Sequence, residues 1–305
     1  MSNLTKKKTH SIYSWILLSL LGVLWGSSFL SVKVAINSFN PFQIASLRII
    51  IGFLIVFLFS LILRIQLLSF NRSAKYWLFC IGVAILSNFL PFTVLAIAQE
   101  HLSTVFAGLC MAIIPLLITI FSYILLREET LHPKKILGVL IGLAGSIILV
   151  ISKATEDIEK NQATNFLFLF LCILAPFSYT FGAIIIKKSE PVNLLTFTTH
   201  SLFIASLFSL PFLLMFGIIP FKQDYQSIFA IVYLGILPTG IATVILVYLI
   251  SKEGPVFLSL VNYKVPIWST IFGFLILREI LPNNFFLASF LILVGILLCQ
   301  LKKSN

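Results

Sequence analysis

Long apolar runs, closed by short polar or Gly/Pro-containing breaks, recur along the whole chain. A run of about 20 apolar residues spans the roughly 30 Å hydrocarbon core of a bilayer. The pattern predicts helices at 13–36, 41–63, 75–98, 102–125, 132–151, 165–187, 193–216, 226–249, 256–277 and 283–301. The first run follows Lys6, Lys7 and Lys8, but it is too long for a signal-peptide core and lacks a small-residue cleavage site, so it is expected to stay as the first helix. The predicted fold class is an all-α integral membrane protein of ten transmembrane helices.

Composition agrees with the pattern. Of 305 residues, 59% are hydrophobic and 10% charged, too apolar a balance for a soluble globule, a disordered chain, a collagen or a disulfide scaffold. The net charge of +11 would by itself suggest a polyanion partner, but the spacing of the basic residues gives another origin. With the amino terminus inside, Lys6, Lys7, Lys8, Arg64, Arg72, Lys75, Arg127, Lys134, Lys135, Lys187, Lys188, Lys252, Lys302 and Lys303 all face the cytoplasm. Only Lys153, Lys160, Lys222 and Arg278 fall on the opposite side. That bias predicts an even number of spans and both termini cytoplasmic, in the cell (inner) membrane. Lys33, Arg48 and Lys264 remain within spans. No nucleic-acid partner and no cofactor is expected; the bilayer and a small-molecule substrate are, and both a monomer and a homodimer stay open.

The chain also repeats itself. Aligning 103–128 with 254–279 gives ten identities, among them Pro115/Pro266, Thr119/Thr270, Arg127/Arg278 and Glu128/Glu279. Nearly the same offset puts Ser28 on Ser178, Pro41 on Pro191 and Gly145 on Gly295, so the repeat covers five helices. An odd unit re-enters the membrane upside down, which makes the halves inverted. The expected organisation is a cytoplasmic segment at 1–12, one five-helix repeat at 13–151, an extracytoplasmic linker at 152–164, a second repeat at 165–301 and a cytoplasmic tail at 302–305.

Two five-helix halves, the Trp-Gly-Ser-Ser-Phe run at 25–29, Pro41 with Arg48, and Pro followed by a closing Arg-Glu in helices 4 and 9 resemble the drug/metabolite transporter superfamily. Within it the chain is most similar to EamA-type ten-helix bacterial permeases. The resemblance covers essentially the whole chain and implies uptake or efflux of small metabolites, often amino acids and related compounds.

Several span residues are candidates for substrate contact. A lysine at the centre of a span costs about 2.5–3.5 kcal/mol on insertion scales, so Lys264 is expected to face the bundle interior or a wet cavity, either to meet a substrate carboxylate or phosphate or to be held by backbone carbonyls or a nearby polar side chain. Trp268, one turn on, shares its face. Asn262 and Lys264 point apart by about 160° on a straight helix and cannot both line one narrow pore unless the turn unwinds. Arg48, with no acidic residue in any span to neutralise it, is either an anion site or a structural anchor holding carbonyls and loop-edge acids. Trp25 and Ser28 offer aromatic and polar groups within helix 1, and Asn88 and Tyr179 either complete the cavity or make structural hydrogen bonds. Pro115 and Pro266 remove the helical partners of the Met111 and Asn262 carbonyls and are paired candidate hinges, or kinks that only shape packing.

His200 is the one histidine within a span, a candidate for protonation or else a hydrogen-bonded packing residue. No metal site is expected, because no second histidine or span acid stands at ligand spacing. Cys80, Cys110, Cys172 and Cys299 have no paired spacing and are expected to pack. Gly22 and Gly26 of helix 1, and Gly138, Gly142 and Gly145 of helix 5, are expected at close helix contacts. The expectation is a secondary carrier of zwitterionic or anionic metabolites, working by alternating access rather than as an enzyme. A membrane enzyme would need an acid/base, nucleophile or metal constellation, and a passive channel would betray itself by its conductance.

Overall fold

The computed structural model describes residues 11–67, 72–126, 133–159, 166–189, 193–222, 224–279, 281 and 284–300. Among these residues the chain forms ten helices. They are α1 Ile12–Ala35, α2 Pro41–Ile62, α3 Ala74–His101, α4 Thr104–Leu126, α5 Pro133–Glu159, α6 Phe166–Ser189, α7 Leu194–Phe216, α8 Tyr225–Glu253, α9 Pro255–Leu277 and α10 Phe285–Gln300. All except α5 and α10 carry a long apolar window; those two carry shorter apolar stretches, Ile136–Gly145 and Phe285–Gly295.

Helix starts follow the local chemistry. Asn40 and Gln43 form a reciprocal capping box ahead of Pro41, with Gln43 N 2.9 Å from Asn40 Oδ1 and Asn40 N 3.0 Å from Gln43 Oε1. Ser11, Ser73, Ser103, Asn193 and Asp224 cap α1, α3, α4, α7 and α8 by accepting backbone N–H groups of the first turn with their side chains. Helix ends differ more from expectation. Helix α5 continues to Glu159 rather than stopping at 151, because Lys153, Ala154 and Glu156 are good helix formers and the end of the apolar run marks the bilayer edge, not the end of hydrogen bonding. For the same reason α8 runs to Glu253.

Four helices are irregular. A π-helical turn occupies Ala84–Phe89 in α3 and another Gly235–Ile241 in α8, at the repeat offset. Helix α4 tightens to a 3₁₀ turn at Met111–Ile113, and α9 is interrupted at Leu260.

The halves α1–α5 and α6–α10 pack with matching partners. Helix α1 lies on α9 as α6 lies on α4, and α1 meets α8 as α6 meets α3. Helix α2 contacts the π turn of α8 as α7 contacts that of α3, while α2–α7, α4–α9 and α5–α10 pair across the two-fold relation. With five spans in each half, the second half is inverted in the membrane. Small polar groups join the α2–α7 seam: Ser46 Oγ donates to Ser209 O at 3.2 Å, and Ser60 Oγ lies 3.1 Å from Thr199 Oγ1. Outward faces are apolar, with Ile62, Leu214 and Leu275 left open to lipid.

Candidate functional site

A cavity of about 970 Å³, its open mouth included, lies between the halves and is walled by both π turns, the 3₁₀ turn of α4 and the interrupted start of α9. Trp25 and Ser28 of α1, Arg48 of α2, Asn88 of α3, Tyr179 of α6 and Asn262 of α9 all line it. Helices far apart in sequence thus bring six of the sequence-derived candidates together.

Arg48 is 5% exposed. Its Nε donates to Thr239 Oγ1 at 3.1 Å, and its Cζ sits 3.8 Å from the centroid of the Phe92 ring. No described residue accepts a hydrogen bond from its terminal amino groups, so the guanidinium is held by one edge and one face. The Trp25 indole N–H and the Tyr179 hydroxyl make no hydrogen bond to a described residue; both line the cavity, where Tyr179 interacts electrostatically with Arg48. Asn88 Nδ2 donates to Val83 O at 3.2 Å and Asn262 Nδ2 to Ser259 O at 3.3 Å, each tying an amide to its own irregular turn. Ser28 Oγ is engaged with Trp25 O at 2.8 Å. Most of the remaining wall is apolar, including Phe29, Leu95, Met111 and Leu246, with Ser87, Gln99, Thr243 and Ser259 adding polar groups. A single cation beside unsatisfied donors in a low-dielectric wall favours an anionic group.

Lys264 and Trp268 are not part of this wall. Leu258, Ser259, Asn262 and Val265 carry the cavity face of α9, and at 100° per residue Lys264 points about 160° from Asn262. Lys264 packs its stem on Gly22 of α1 and donates from Nζ to Ser19 Oγ at 2.6 Å. Trp268 sits against Gly26 and stacks on Phe272, with ring centroids 5.7 Å apart.

His200 also lies away from the cavity. Its Nδ1 is 2.9 Å from the Tyr76 hydroxyl, its Nε2 is 2.9 Å from Leu67 O, and its ring leans on Trp77. Pro115 does leave Met111 O without its α-helical donor, but the 3₁₀ turn supplies Ile114 N instead. Pro266 lies within α9, where Ser269 Oγ donates to its carbonyl at 3.0 Å.

Thr239, the residue that orients Arg48, was missed in the sequence. It stands at the repeat offset from Asn88, inside Pro238-Thr239-Gly240, and extending the alignment to helices 3 and 8 would have marked it. Gln99 was missed too. It lines the cavity and donates to Phe29 O at 2.9 Å. Beyond it, Lys33 Nζ donates to the carbonyls of Gln99 in α3 at 2.8 Å and of Leu102 just past its end at 3.3 Å, complementing the helix C-terminus. Glu279 Oε1 accepts from Thr104 N at 3.3 Å at the start of α4. Among the described residues no group of three His, Cys, Asp or Glu could hold a metal ion.

Ten helices in inverted halves around a cavity with one buried cation define a membrane transporter of the inverted-repeat type. The EamA-like transporter family model matches residues 13–151 and 166–300, and the chain belongs to that family, within the drug/metabolite transporter superfamily. An uncharacterized transporter of Archaeoglobus fulgidus is 26% identical over 95% of this chain and 99% of its own length. The uncharacterized transporter YoaV of Bacillus subtilis is 23% identical over 92% of this chain and 95% of its own. A protein of Chlamydia trachomatis named as an S-adenosylmethionine/S-adenosylhomocysteine transporter is 23% identical over 92% and 86%. One crystal structure matches the fold with a TM-score of 0.73 at 20% identity, covering 95% of this chain and 96% of that one.

Proposed function

We propose that this protein is a secondary carrier for small metabolites bearing a carboxylate or phosphate, amino acids and related zwitterions foremost. The observation that carries the reading is the Arg48 guanidinium, fixed through Nε to Thr239 and presenting unbonded amino groups to the cavity. The anion docks on that edge, while Trp25, Tyr179 and Asn262 receive the remainder of the substrate. The Chlamydia relative's named substrates carry an α-amino acid group, which is compatible with this chemistry. The two halves rock about the irregular turns near Pro115 and Pro266, exposing the cavity to each side in turn. The charge bias supports a cytoplasmic position for both termini, and helical rather than β-barrel spans support a cell (inner) membrane location.

The test is uptake and counterflow of a panel of labelled metabolites in proteoliposomes. Saturable exchange of anionic or zwitterionic compounds is expected, falling at least tenfold in Arg48→Ala with folded protein retained. Unchanged exchange in that variant, or selective exchange of cations that carry neither carboxylate nor phosphate, would overturn the assignment.

A further inference from the structure

Lys264 raises a separate question, because its exposed side belongs to the lipid-facing surface. Along the same face of α9, Ile267, Trp268 and Ile271 are partly exposed and Leu275 is 67% exposed. On the neighbouring face of α1, Ile16 and Leu20 are 57% and 43% exposed. The ammonium therefore lies in an outer seam between α1 and α9 rather than in the central cavity.

Lys264 is the tenth residue of α9, so its Cα stands about 14 Å along that helix. The side chain turns back over Gly22, where a Cβ would come within 2.9 Å of Lys264 Cβ, and reaches Ser19. Ser19 is one turn inside Trp15, and its own hydroxyl donates to Trp15 O at 2.9 Å. The charge thus snorkels toward the membrane surface nearest Trp15 along a groove that glycine keeps open.

The ammonium has three N–H donors, and Ser19 Oγ is the one acceptor among the described residues. Among the described residues every Asp and Glu lies in a loop or near a helix end, so a second copy docked on this seam has no described mid-span carboxylate to offer. The anion that arrives from the Trp15 side and tolerates an otherwise apolar groove is a lipid headgroup, its acyl chains lying along Leu20, Ile267 and Ile271. Snorkelling of the long lysine stem and local thinning of the bilayer are the means by which a phosphate could reach such an ammonium.

We propose that the α1–α9 seam is a binding site for an anionic phospholipid, with Lys264 and Ser19 contacting its phosphate. This assignment is independent of the substrate reading at Arg48, since it concerns the opposite face of α9.

Native mass spectrometry of the full-length protein in detergent tests it, by titration with phosphatidylglycerol or with phosphatidylcholine of the same acyl chains. The wild type is expected to retain phosphatidylglycerol at least fivefold more than phosphatidylcholine at one site. Lys264→Met, which removes an embedded charge without losing bulk, is expected to erase that preference, and Lys264→Arg to keep it. Equal retention of the two lipids by the wild type overturns the proposal whatever the variants do. So does a preference that survives in Lys264→Met, or a wild-type dimer that Lys264→Met dissociates with lipid retention unchanged.

Discussion

Asn262 and Lys264, two residues apart on α9, face opposite sides of the helix: the amide lines the central cavity, and the ammonium reaches outward to Ser19 Oγ at 2.6 Å. The two positions should therefore separate in transport assays. Losing one neutral hydrogen bond costs about 0.5–1.5 kcal/mol, so Asn262→Ala is expected to raise the half-saturating substrate concentration by about 2–10-fold. Lys264→Met should leave that concentration within about twofold, because no described cavity contact changes. Concentration-dependent uptake in proteoliposomes compares them directly.

The Arg48–Thr239 contact predicts a second split. A hydrogen bond from a charged group contributes about 1.5–3 kcal/mol, so Thr239→Val, which frees Nε and lets the guanidinium swing, should weaken apparent substrate affinity by about tenfold or more. Thr239→Ser restores the acceptor and should recover most of the loss. Binding followed by intrinsic tryptophan fluorescence, with Trp25 in the cavity, provides the measurement.

Close helix contact predicts a purely structural effect. A Cβ on Gly26 would meet the Cβ of Trp268 and lie 3.2 Å from the backbone nitrogen of Ser269, neither of which is the free end of a flexible chain. Gly26→Val should destabilise the protein by about 1–3 kcal/mol through overpacking of the α1–α9 interface. A lowered melting temperature in a thermal-shift experiment checks it, and Gly26→Ala should show the same sign with a smaller shift.

Pro115 predicts opposite changes in stability and rate. In Pro115→Ala a backbone donor returns, the Met111 carbonyl no longer depends on the 3₁₀ turn, and α4 can become regular. The variant should melt at a higher temperature and, if the turn is a hinge of alternating access, exchange substrate several-fold more slowly. Turnover and melting temperature measured on one preparation distinguish a hinge from a packing kink, since a kink leaves turnover unchanged.

The spans were legible because bilayer thickness imposes one length on every apolar run, and the halves because Pro, Thr and Arg-Glu recur in one register. The opposed directions of Asn262 and Lys264 were legible as well, from 100° per residue alone. What the one-dimensional pattern lacks is which side of a helix meets lipid. An embedded lysine signals a cost, and that cost can be met by a cavity or by snorkelling along a glycine groove; only the placement of α1 decides for Lys264. The π turns were hidden for a related reason. Apolar residues surround them, so one extra residue in a turn leaves no break in hydropathy, and the Arg48–Thr239 contact that depends on the second turn was hidden with it. His200 is a local case, since its partner Leu67 lies in the α2–α3 connection, whose path no periodicity describes.

The matched positions of the two π turns also bear on descent. A π turn is an α-helix carrying one additional residue, a local defect that weakens regular hydrogen bonding and has no reason to arise at corresponding sites in unrelated segments. Here it falls at 84–89 and 235–241, separated by the same offset that aligns Pro115 with Pro266. The simplest history is that the insertion was already present in a five-helix ancestor before the gene doubled. The two turns now differ at their matched position, with Asn88 lining the cavity in one and Thr239 in the other accepting the Arg48 Nε–H, so only one of the two turns holds a buried cation.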